Sequence, residues 1–162
     1  MLPKKVEEIL NEQILREDYS SQLYLSMASW AENQGFEGVS GWLYAQAEEE
    51  RVHMLKLVKY VNDRDGIAVI PGIKTPSSEF GDIFGLFDQV LAHEKYISGS
   101  INEIVAMCIA ENDFTTQNWI QWFVTEQIEE EASVKAIIDK LKLLGKNNLY
   151  MFDRDIMSMR DG

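Results

Sequence analysis

Residues 4–70 and 77–162 contain no proline, the three in the chain being Pro3, Pro71 and Pro76. An interior proline removes a helical hydrogen bond and clashes with the preceding turn, so both stretches are free to form long helices. Apolar residues recur through them in steps of three and four, the period of an amphipathic helix. From about Lys5 to Asn33 the stripe reads Leu10, Ile14, Glu17, Ser21, Tyr24, Ala28, Ala31. Gly35, in the linker of residues 34–38, is the glycine expected at a helix C-terminus. A second stripe reads Val39, Leu43, Ala47, Glu50, Met54, Leu57, Val61 and closes near Asp65-Gly66. A third runs Phe84, Phe87, Leu91, Glu94, Ser98, Ile101, Val105, Cys108, up to Glu111-Asn112-Asp113. The fourth is Ile120, Phe123, Gln127, Glu130, Val134, Ile137, Leu141, Leu144, stopped by Gly145. Leu149 to Met159 is amphipathic and short, and predicts a fifth helix.

Helices of about 28 residues span about 42 Å. Short linkers make the first pair antiparallel and the last pair antiparallel. Between the pairs lies GIAVIPGIKTPSSEFG, residues 66–81, which could reach roughly 50 Å when extended. A connection of that length predicts parallel second and third helices. The expected fold is therefore all-α: a four-helix bundle with one long crossover between helices 2 and 3 and a short C-terminal fifth helix, in a single domain over residues 1–162. Ile67, Val69, Ile70 and Ile73 would leave a mobile loop greasy, so the crossover is expected to bury them against a second copy of the chain.

Composition narrows the partners. Fifteen basic against 27 acidic residues give a net charge of −12, which disfavours a nucleic-acid surface and favours cations. Cys108 is the one cysteine, in keeping with a reducing compartment. The start, MLPKKVEEIL, lacks a secretory apolar segment. No run approaches the roughly 18 apolar residues of a membrane span. A cytoplasmic protein without membrane or nucleic-acid partners is expected.

Each apolar stripe carries a carboxylate near its middle: Glu17, Glu50, Glu94 and Glu130, with Gln127 one turn before the last. His53 follows Glu50 by three residues, so the two neighbour each other on one face. Glu17 and Glu50 are 33 residues apart, as are Glu94 and Gln127. An offset of 77 carries Glu17, Glu50 and His53 onto Glu94, Gln127 and Glu130. The two hairpins thus read as an approximate repeat around one polar set. Four carboxylates in a bundle core repel one another and lose hydration. Two divalent ions would balance them, leaving neutral His53 as a ligand and Gln127 as a hydrogen-bonding partner. Oxygen-rich donors with one imidazole and no thiolate suit iron or manganese better than structural zinc. A glutamate from each of two helices and Glu-x-x-His from the others is the ligand pattern of ferritin-like di-iron bundles, the stock example of such a site. The first hairpin obeys it, whereas Gln127-x-x-Glu130 departs from it.

At these residues the chain resembles a bacterial non-haem ferritin. The resemblance covers nearly the whole length: NEQ near the start, YSSQLYLSM, FEG, the EEExxH segment, HE in the third helix and WFVTEQIEEE in the fourth. It implies that Glu17, Glu50 and His53 bind one iron, and that Glu50 bridges to a second held by Glu94 and Glu130 with Gln127 close by. Glu49, Glu126 and Glu129 match a third iron position toward the inner surface, with Glu130 shared. Tyr24 matches the tyrosine beside the site, and Trp122 a nearby tryptophan. Arg51 stands where haem-binding relatives have methionine, and the second Glu-x-x-His is missing, so no haem is expected. The implied activity is oxidation of ferrous iron by dioxygen or hydrogen peroxide, with storage of ferric mineral in a hollow shell of 24 identical chains.

Two other readings compete. A different di-metal enzyme on the same bundle would want a separate substrate-binding segment, and none is evident. A small DNA-protecting relative would place its ligands between subunits and carry a basic tail. His93, about 100° around the helix from Glu94, is expected at the surface.

Overall fold

The computed structural model describes residues 1–160. Its main elements are α1 (Lys4–Asn33), α2 (Glu37–Asp63), α3 (Ile83–Ala110), α4 (Phe114–Leu144) and α5 (Leu149–Ile156). Single 3-10 turns at Lys146–Asn148 and Met157–Met159 flank α5. The expected bundle, its crossover and its short fifth helix are all present.

The helix ends follow from local chemistry. Gly35, at φ 87°, turns the chain out of α1 so that the amides of Gly35 and Phe36 bond back to the carbonyls of Glu32 and Ala31. This closes the helix while burying part of Phe36 against the core. Asp65 and Asn112 adopt the same left-handed conformation at the ends of α2 and α3. Asp82 opens α3 by accepting from the Gly85 amide, and Asp113 opens α4 by accepting from Thr116.

The crossover is pinned along α1. Asn11 donates to the Ile67 carbonyl and accepts from the Val69 amide, and Ser26 donates to the Ser77 carbonyl. These anchors lie 15 residues apart on α1, about 22 Å along its axis. Phe80 then inserts edge-on against Trp30, so α3 starts at the end where α2 starts and runs parallel to it. Ile67, Val69 and Ile70 remain exposed on this strap, whereas Ile73 is half-buried.

Buried side chains form two apolar clusters. One, built on Leu10, Ile14, Leu57, Ile101, Ile104 and Phe123, fills the end near the N-terminus. The other, built on Tyr24, Leu43, Phe87, Val134, Phe152 and Ile156, fills the end capped by α5. Between them every long helix contributes polar residues: Glu17 from α1, Glu50 and His53 from α2, Glu94 from α3, Gln127 and Glu130 from α4, all buried. The polar residues form a layer dividing the core.

α5 docks closely on α2. A Cβ on Gly38 would lie 1.7 Å from the Asp153 carbonyl oxygen, and the Asp153 carboxylate accepts from the Val39 amide at 2.8 Å. Gly38→Ala should therefore push α5 off its seat and cost about 1–3 kcal/mol. Thermal unfolding, with limited proteolysis after residue 145, checks this. Unchanged stability and resistance would mean the close approach is not required.

Candidate metal centre

Glu17, Glu50 and His53 bring ligand atoms within 4.8 Å of one another, and so do Glu50, Glu94 and Glu130. Glu50 belongs to both groups. The geometry follows from the stripes: each residue occupies an inward position of a helix whose neighbours on that face are apolar. Five of the sequence-predicted residues thus meet in one buried place.

Hydrogen bonds hold the set. Tyr24, fully buried, donates its hydroxyl to Glu94 Oε1 at 2.5 Å. Gln127 donates to Glu94 Oε2 at 3.1 Å and to the Glu94 carbonyl at 3.2 Å, so its amide orients Glu94. His53 Nδ1 lies 3.1 Å from Glu50 Oε2, and its ring meets Trp122 and Phe123 edge-on. Trp122 also carries Lys56 over its ring, Nζ 3.4 Å from the ring centre.

Two glutamines escaped the sequence reading. Gln13 donates to Glu17 Oε1 at 3.1 Å, and Gln46 donates to Glu50 Oε1 at 3.2 Å and Glu130 Oε2 at 2.7 Å. Each sits four residues before its glutamate, and they are 33 apart. That spacing was the signal. Offset by 77, they become Val90 and Phe123, so this pair of amides has no counterpart in the second hairpin.

His93 is not a surface residue. It is half-buried where α1 packs on α3, with Nε2 2.7 Å from Ser20 Oγ and its ring beside Tyr19, Tyr24 and Tyr96. The side of α3 that lies 100° from Glu94 faces α1, not water. Burial lowers the His93 pKa to about 4, which keeps the ring neutral.

Burial dominates the electrostatics. It raises the Glu17 and Glu50 carboxyls well above the usual range, helped by the charge of neighbouring glutamates. Glu94 is raised by burial, against the opposing hydrogen bonds from Tyr24 and Gln127. Glu130 is pushed up to about 8, by burial first and the Glu94 charge second. Burial and the same carboxylates also raise the Tyr24 phenol, keeping it a donor. Gln13 Oε1 and Glu17 Oε2 are buried without a hydrogen-bond partner among the described residues. Buried acceptors left so are costly. A cation held by the carboxylates would satisfy Glu17 Oε2, and the donor set fits iron.

Glu49, Glu126 and Glu129 lie apart from this cluster, on the open side of the bundle. With Glu130, Trp42 and Arg160 they line a cavity of about 400 Å³. Glu130 thus faces both places. Arg160 is a contributor that the sequence did not reveal.

Comparisons with known proteins agree with this geometry. Residues 7–144 match the family model of the ferritin-like domain. The chain is 40% identical to a bacterial non-heme ferritin of Campylobacter jejuni over 161 residues, covering 98% of this chain and 96% of that protein. It is 38% identical to a bacterial non-heme ferritin of Escherichia coli O157:H7, covering 98% of each. Among solved structures, an open-pore ferritin of the archaeon Archaeoglobus fulgidus superposes with a TM-score of 0.93 at 39% identity over 96% of both chains. A bundle of this topology, a carboxylate–histidine layer at its middle and these likenesses together place the chain in the ferritin family of iron-storage proteins, among the bacterial non-haem ferritins.

Proposed function

We propose that this protein is a ferroxidase that oxidises ferrous iron with dioxygen or hydrogen peroxide and stores the product as ferric mineral. The observation that carries the proposal is the pair of ligand groups sharing Glu50. In this reading Glu17, Glu50 and His53 take up one ferrous ion, and Glu50, Glu94 and Glu130 the other, with Gln127 steering Glu94. Two ions carry +4, which balances four carboxylates. Each ion gives up one electron, so the pair supplies the two electrons that reduce dioxygen to peroxide, or peroxide to water.

The surrounding residues orient the donors. Tyr24 and Gln127 fix both oxygens of Glu94, while Gln46 joins Glu50 to Glu130. His53 is the single nitrogen donor, so the first position is the more selective. Glu49, Glu126 and Glu129 form a third iron position on the inner side, linked to the centre through Glu130. The chain acts as one domain in the cytoplasm and assembles into a hollow shell of 24 copies, with Ile67, Val69 and Ile70 of the crossover covered by a neighbour. No helix among the described residues is long and apolar enough to cross a membrane.

Anaerobic titration with ferrous ions, then exposure to oxygen, tests the chemistry. Two ions per chain should bind tightly and oxidise together, and His53→Ala should weaken one of them about 10–100-fold. Parent-like binding and oxidation in that variant would remove His53 from the ligand set. Sedimentation tests the shell: an 18.6 kDa species alone at micromolar concentration would contradict it.

A further inference from the structure

Arg160 stands where a metal ion would compete with it. Phe152 and Ile156 of α5 are fully buried, and the following 3-10 turn carries the chain back to the cavity lined by Glu49, Glu126 and Glu129. There Arg160 Nη2 lies 2.9 Å from Glu49 Oε1 and 3.3 Å from Gln46 Oε1, and Nη1 donates to the Trp42 carbonyl at 3.1 Å. The guanidinium carbon sits 5.2 Å from the centre of the Trp42 ring. The side chain is 12% exposed, so this is a docked cation, not a solvated one.

We propose that Arg160 is a tethered cation that competes with iron for Glu49 and so holds the third position weak. The proposal rests on the reading of Glu49, Glu126 and Glu129 as that position. A guanidinium is charged at every working pH and forms charge-assisted hydrogen bonds with carboxylates. A metal ion that takes Glu49 Oε1 must break the 2.9 Å contact, and one that takes only Oε2 still sits close to a fixed positive charge. Either cost falls on the third ion. Arg160 bonds to none of Glu17, Glu50, His53, Glu94 and Glu130; its link to the buried pair is indirect, through Gln46, whose amide donates to Glu50 and Glu130. An ion leaving the centre by way of Glu130 would therefore meet a site that binds it briefly and passes it inward.

The test is equilibrium titration of the assembled protein with ferrous ion, without oxygen, at fixed ionic strength, counting ions bound per chain. Arg160→Gln and Arg160→Met remove the charge, the second retaining an apolar stem against Trp42. In whichever of them keeps the parent melting temperature, the third ion should bind roughly tenfold more tightly, with the first two unchanged. Arg160→Lys should stay within about threefold of the parent, because it keeps the charge. Equal third-ion affinity in parent and neutral variants would overturn the inference alone. So would a lysine variant that behaves like the neutral ones, since packing and not charge would then be at work. A third ion absent from every variant would overturn the third position itself, and the inference with it.

Discussion

Glu50→Gln is expected to leave the metal-free protein as stable as the parent, or about 1–2 kcal/mol more so, while slowing ferrous oxidation at least about a hundredfold. The opposite signs come from one cause. Without metal, Glu50 is a buried acid among acids, and its pKa is raised because its charge is costly there. A neutral amide of the same shape removes that cost and can still accept from Gln46. With metal, the charge is what allows one side chain to serve both groups of ligands, and an amide bridges two cations poorly. Thermal unfolding of the metal-free variant and its initial oxidation rate decide the matter. Normal activity would end the bridging role, and a large loss of stability would show Glu50 to be structural.

The metal-free protein should also lose stability as pH rises from about 4.5 to 8. Unfolded glutamates titrate near 4.3, whereas Glu130 in the fold titrates near 8 and Glu17, Glu50 and Glu94 are shifted the same way. Between these limits the folded state holds protons that the unfolded state has released, so stability is full below the lower value and falls through the upper one. The loss from Glu130 alone should be on the order of 5 kcal/mol, or roughly 10–20 °C in Tm for a chain of this size. Ferrous ion under anaerobic conditions should abolish the slope, because metal displaces the protons and supplies the missing charge. Glu130→Gln should lessen it by that residue's share, which separates the buried layer from repulsion among surface acids. Stability that rises with pH in this window would contradict the account.

Most of the layer was legible in the sequence because a carboxylate on an apolar stripe breaks a strong periodic signal. All seven positions of the α2 stripe are buried, and six of the seven on α1, Ser21 being half-buried. The α3 stripe was placed toward one flank. Phe84, Leu91, Ser98 and Val105 are half-buried, while Val90, Ile97 and Ile104 are buried. Both sets recur every seven residues and both are mostly apolar, so periodicity alone does not separate them. His93 was misplaced for a different reason: which flank of α3 meets α1 is a tertiary fact. Gln13 and Gln46 carry the same 33-residue spacing, but an amide on a stripe signals less than an acid. Arg160 could not be read, because its approach to Glu49 depends on how α5 docks.

The polar layer has a consequence for folding that is separate from iron. Two long hairpins with apolar stripes of similar period could in principle slide past one another by a turn and still bury their leucines and isoleucines. A one-turn slip of α3, however, would carry Glu94 in among Ile97-like neighbours, away from Tyr24 and Gln127, and leave an acid buried with no partner. That penalty is several kcal/mol, enough to make the slipped arrangement negligible. Buried polar groups are best attested in this role of fixing register. The layer is an alignment key: by costing some stability in the native bundle, it removes the alternatives that shared periodicity would otherwise allow.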